Sequence, residues 1–66
     1  MRVGDLVMHT TSWKGYLFLI VEVDSPTVPL MCRCTILRTP SPQAEYEVGY
    51  TLRWKPLIEW SKYEHT

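Results

Sequence analysis

Two histidines, two cysteines and seven acidic side chains are the residues of this 66-residue chain that could hold a metal ion or move a proton. Cys32 and Cys34 lie in "MCRCT", two positions apart within an apparent strand. Their side chains share a face there, with Cα atoms about 6.5–7 Å apart, at the limit for a disulfide. Two thiols fall short of the four ligands of a structural zinc site, and neither His9 nor His65 is spaced to complete one. Small residues of this type are often buried, so core packing is the expected role of both cysteines and no cofactor or metal is expected. The acids Asp5, Glu22, Asp24, Glu45, Glu47 and Glu59 are scattered. No serine elbow, phosphate-cradling loop or triad spacing accompanies them. His9, beside polar threonines, reads as a surface histidine, and the chain is expected not to be an enzyme.

The aromatic residues carry more. Three tryptophans is a high load for this length, and Trp13 falls in the polar stretch "TTSWKGY". Tryptophan, tyrosine and arginine are the side chains enriched at binding hot spots. Trp54 is expected to continue a core row, while Trp13 and Trp60 stand between interface and barrel plug. Trp13, Tyr16 and Tyr50 could supply the rings of a methyl-lysine cage, though no spacing requires it.

Period-two patterning dominates and no helix is predicted. Residues 3–9 read as a first strand, with Gly4 and Asp5 marking a bulge or tight opening turn. Residues 16–24 form a second strand, whose odd positions Leu17, Leu19, Val21 and Val23 make an apolar row. Phe18 and Ile20 make its middle apolar on both faces, so something must cover the second face. Residues 25–29 hold two prolines and predict a turn. Residues 30–38 form a third strand with Leu30, Cys32, Cys34 and Ile36 on one face, and the proline-bearing residues 39–45 form a loop. Residues 46–54 predict the cleanest strand, with Tyr46, Val48, Tyr50, Leu52 and Trp54 sharing a face and Gly49 marking a bend or close approach. Pro56 then opens a 3₁₀ turn into a short last strand at residues 57–60, and residues 61–66 read as a polar tail.

Four longer strands and a short fifth are stabilised at this size by curling one apolar face inward. The expected fold is all-β, a single five-stranded, partly open barrel over residues 1–66 with its core at about 3–60. The opening "VGDLV" (residues 3–7), Gly15, "LFLIVEV" and "LRWKPLIEW" together resemble SH3-like barrels, including chromatin readers and the KOW modules of transcription and translation proteins. The chain is also similar in style to small SH3-like proteins of tailed bacteriophages, some of which are head, neck or tail parts. The resemblance implies binding through the loop after the first strand, the long central loop and the 3₁₀ turn. Those regions offer Trp13, Lys14, Tyr16, Trp54 and Lys55 as protein-binding residues.

Seven basic side chains balance seven acidic ones, which weighs against a protein whose main task is to grip phosphates. Around the first loop, where RNA-binding KOW modules are basic, only Lys14 stands, with Glu22 and Asp24 close behind. The acidic first loop of peptide-binding SH3 domains is missing too. No apolar run is long enough to span a bilayer, and the N-terminus lacks the layout of a secretion signal. The expectation is a cytoplasmic or virion protein that docks on a larger protein or in an oligomeric assembly, most simply as a phage-type structural part. The alternatives are a host-enzyme inhibitor or a KOW-like nucleic-acid binder using Lys14, Arg33, Arg38, Arg53 and Lys55, with Arg33 and Arg53 meeting on neighbouring strands.

Overall fold

A computed structural model describes residues 2–24 and 30–63. The turn expected at residues 25–29 lies outside the described residues, as does His65. Leu6–His9 (β1), Leu17–Asp24 (β2), Met31–Arg38 (β3), Lys55–Pro56 (β4) and Trp60–Lys62 (β5) form one antiparallel sheet. Its order is β4-β3-β2-β1-β5, so the last strand returns to pair with the first while β4 and β5 remain edges and the sheet does not close. A 3₁₀ turn, Leu57–Glu59, precedes β5. The all-β, five-stranded, partly open architecture expected from the patterning is therefore present.

The core is Val7, Tyr16, Phe18, Ile20, Cys32, Cys34, Ile36, Leu52 and Trp60. On β2 the inward row is thus the even one, and the odd row is left half-buried on the opposite, outer face. Both rows are apolar for a reason visible in the register. Ile20 faces Cys34 and Glu22 faces Arg33, so Val21 is an extra residue and the strand bulges there. The bulge reverses parity, which turns Val23 inward behind Ile20. On β3 the even residues Cys32, Cys34 and Ile36 are fully buried as the alternation predicts, while Leu30, expected on the same face, precedes the strand and is exposed. Leu37 is the extra residue of a second bulge, between the pairs Phe18–Ile36 and Leu17–Arg38.

β1 starts three residues later than its pattern suggests. Asp5 closes a turn over Gly4: its N–H donates to the Arg2 carbonyl (3.1 Å) and its carboxylate accepts the Arg2 N–H (3.0 Å). The opening turn expected at Gly4 and Asp5 is therefore there.

The largest departure concerns residues 46–54. They do not form a regular strand, and of the expected core row only Leu52 is buried. Val48, Tyr50 and Trp54 are 62%, 46% and 42% exposed. Gly49, at φ 94°, turns the chain, with the Tyr50 N–H donating to the Glu47 carbonyl. A left-handed φ suits glycine, and a Cβ there would meet nothing within 4 Å, so Gly49 serves a turn and not a close approach. From there the chain tracks β3 through Ile36 N–H to Tyr50 O, the Thr35–Thr51 bridge and Leu52 N–H to Cys34 O. Lys55 then pairs with Cys32, so three steps on this side answer two on β3. That irregularity takes Trp54 out of the core row and corrects the expected plug.

The last strand is also displaced. Residues 57–59 complete the 3₁₀ turn, closed by the Trp60 N–H on the Leu57 carbonyl, and pairing with β1 begins at Trp60. Ser61 and Lys62, expected in a polar tail, lie opposite Met8 and Val7, and the Tyr63 N–H donates to the Leu6 carbonyl (2.8 Å). An edge strand needs only its backbone for such pairing, so polarity hid it.

Candidate functional site

The outer face of the sheet is built by the residues that alternation turns away from the core. Leu6 stands opposite Leu19 across β1 and β2, and Leu19 stands opposite Thr35 across β2 and β3. Met8 and Leu17 continue the two rows, and the bulge at Leu37 adds a further side chain beside Leu17. Leu6, Met8 and Leu37 are 36%, 38% and 41% exposed, with Leu17, Leu19 and Val21 half-buried among them. Charge enters at Arg38, opposite Leu17 at the end of β3, and at the border, where Arg33 donates to Glu22 (2.9 Å) and lies over the Trp54 ring at 5.9 Å. A contiguous apolar patch rimmed by polar groups is the usual mark of a protein contact surface.

A second feature sits at one end of the inner face. Trp13 packs its ring edge-on against Tyr16 (5.2 Å) and Phe18 (5.6 Å), and tilted against Tyr46 (5.0 Å). Tyr46 in turn tilts against Tyr50 (5.0 Å). Trp13 is the one non-glycine described residue at positive φ (59°), a conformation that costs about 1–2 kcal/mol for an L-residue. Ring packing and the Tyr16 N–H donated to the Trp13 carbonyl (3.1 Å) hold it there. The Trp13–Tyr46 pair is the wall between two grooves. One, of about 260 Å³, is lined by Trp13, Tyr46, Tyr50, Leu52, Arg53 and Lys55. The other, of about 360 Å³, is lined by Ser12, Trp13, Lys14, Tyr16, Glu45 and Tyr46.

His9 locks the loop that carries Trp13. Its Nδ1 accepts the Ser12 N–H (3.1 Å), with the Thr11 N–H at 3.4 Å and the Ser12 hydroxyl at 3.1 Å. Its Nε2 donates to the Glu59 carboxylate (3.0 Å), 50 positions away in sequence. Ser12, His9 and Glu59 thus stand in the order of a hydrolytic relay. The Ser12 and Thr11 amides, which could otherwise polarise a substrate carbonyl, are spent on Nδ1, and the arrangement works as a loop cap. His9 is accordingly a half-buried structural residue, not the surface histidine its threonine neighbours suggest.

Of the residues singled out for protein binding, Trp13, Lys14 and Tyr16 share the larger groove, and Lys55 borders the smaller one with Trp13. Tyr16 is nearly covered and belongs to the core; Trp54 lies apart, under Arg33. Trp60 is core, in edge contact with His9 and Phe18. Its indole N–H is buried with no hydrogen-bond partner among the described residues. Of the basic set, Arg33 is held by Glu22 and Trp54, while Arg53 lines the Trp13 groove. Arg38 is exposed at the end of β3 opposite Leu17. Cys32 and Cys34 are free thiols with sulfurs 4.0 Å apart, and burial pushes both pKa values up.

No family model, curated protein or solved structure matches the chain. What it can bind is set by these surfaces. Among the described residues no three acidic, histidine or cysteine side chains gather as a metal site, and no helix is long and apolar enough to cross a membrane. The outer face was missed as a site by sequence reasoning, although the two-sided apolarity of β2 was its signal. The Tyr46 wall was missed for a different reason, because Tyr46 read as one of a core row.

Proposed function

We propose that this chain is a non-catalytic docking module on an SH3-like scaffold, which attaches to a larger protein through its outer sheet face. The observation that carries this is the open apolar surface of Leu6, Met8 and Leu37 joined by Leu17 and Leu19. Burying such a surface contributes about 25 cal/mol per Å², and leaving it in water invites association. The scaffold reading draws on the strand order, with β5 returning to β1, and on the 3₁₀ turn before it. A structural part of a multi-copy assembly such as a phage virion is the setting that suits a body of this kind. Its place is then the particle or the host cytoplasm.

The test is a photo-crosslinking side chain placed at Leu37 on the outer face, with Glu45 in the larger groove as the control position. In cells or particles that contain the protein, one discrete larger protein should crosslink at position 37, be competed away by unlabelled chain, and fail to crosslink at position 45. Adducts of equal intensity from both positions, or only with a second copy of this chain, would contradict it.

A further inference from the structure

The groove beside Trp13 carries information that the outer face does not. Its wall and floor are Trp13, Tyr46, Tyr50 and Leu52, and its rim is Arg53 and Lys55. No acid lines it. Glu22 holds Arg33 and Glu59 holds His9, yet neither Arg53 nor Lys55 has an ion-pair partner among the described residues. Two unpaired cations facing one aromatic trough are complementary to a ligand that is apolar in the middle and anionic at its flanks.

We propose that this groove binds an extended acidic segment of a partner protein, with an apolar or prolyl side chain against the rings and carboxylates against Arg53 and Lys55. A volume of about 260 Å³ takes one or two side chains, which fits a peptide and not a folded surface. The rings are already held in place by the edge and tilted contacts of Trp13 with Tyr16, Phe18 and Tyr46, so little ordering is needed on binding. Cationic ligands such as methyl-lysine are repelled by the same rim, which removes the cage that three converging rings would otherwise suggest. Single-stranded nucleic acid also pairs rings with cations, but it needs a track of positive charge along its backbone. Here Glu45 stands against the other side of the Tyr46 wall, and the whole chain is neutral. The site is separate from the outer face, so either can fail without the other.

The test titrates the full ¹⁵N-labelled chain with acetyl-Glu-Glu-Phe-Pro-Glu-Glu-amide, its Gln analogue, its Lys analogue, a trimethyl-lysine peptide and an oligothymidine. The acidic peptide should bind about tenfold or more tightly than its Gln analogue at low salt, two charge contacts of ordinary strength giving that ratio. It should shift the Trp13 indole and the Tyr50 and Arg53 amides, and weaken as salt rises. Arg53→Gln with Lys55→Gln should remove the preference while leaving the rest of the spectrum unchanged. Arg53→Glu with Lys55→Glu should reverse it toward the Lys analogue. Tighter binding of oligothymidine or of the trimethyl-lysine peptide would overturn the assignment. So would equal binding of the acidic and Gln peptides, shifts confined to another surface, or no binding at millimolar peptide.

Discussion

His9 Nε2 lies 3.0 Å from the Glu59 carboxylate while Nδ1 of the same ring accepts the Ser12 amide, so one imidazole ties the 3₁₀ turn to the loop after β1. Thr10 adds to the tie, its N–H and its hydroxyl both donating to the Glu59 carbonyl at 3.0 Å. Because Nδ1 must accept and Nε2 must donate, the tautomer of the neutral ring is determined by its surroundings.

The first prediction follows from that tie. In the neutral imidazole, ¹⁵N shifts should report the Nε2–H tautomer. His9→Ala should cost about 1–2 kcal/mol in urea unfolding and speed amide exchange at Ser12. Glu59→Gln keeps an acceptor for Nε2–H and should cost much less than Glu59→Ala. An Nδ1–H tautomer, or equal costs for the two Glu59 variants, would contradict the geometry.

Gly15 supplies the second. It has φ 82°, and a Cβ there would sit 2.5 Å from the Pro40 Cβ. Two loops therefore meet at a residue without a side chain. Gly15→Ala should destabilise by more than the conformational penalty of about 1–3 kcal/mol expected at a positive φ. Gly49→Ala, at φ 94° with nothing within 4 Å, should pay the conformational penalty alone. Chemical denaturation of both variants measures the difference, and equal losses would mean the Pro40 contact is not rigid.

The third concerns alkali. Burial is the main cause that raises the Cys32 and Cys34 pKa values, and Cys34 is raised furthest. The fold therefore favours the protonated thiols. Their contribution is whole below the ordinary thiol value of 9.0 and is lost as pH climbs above it, because the unfolded chain releases its protons first. Stability should fall between about pH 9 and 10, by up to about 1.4 kcal/mol per unit for each thiol. A Cys32→Ala, Cys34→Ala variant should lose that thiol-linked slope. Unchanged slopes in urea melts of the two proteins at stepped pH would contradict burial of the pair.

Much of this fold is legible in the sequence. Alternation at Cys32, Cys34 and Ile36 located the β3 core, and Gly4, Asp5 and Pro56 marked turns where turns exist. What was not legible came from register. A single extra residue at Val21 or near Trp54 reverses which face a side chain takes, and no local pattern announces it. The His9–Glu59 pair joins residues 50 positions apart and leaves no local trace either. For the same reason Trp13, read as a loop residue, is also a packing residue. Trp13→Ala would remove contacts with Tyr16, Phe18 and Tyr46 at a cost of several kcal/mol, so Arg53 and Lys55 are cleaner probes of the groove.

The central claim, that the outer face is covered by a larger protein, is tested most directly by peroxide oxidation of Met8. Its thioether sits in that face at 38% exposure in the isolated chain and should oxidise readily. In intact particles or in the native complex the account predicts Met8 protection of about tenfold or more, lost when the complex is dissociated. Oxidation of Met8 at the same rate in both states would show the face open, and would contradict the account.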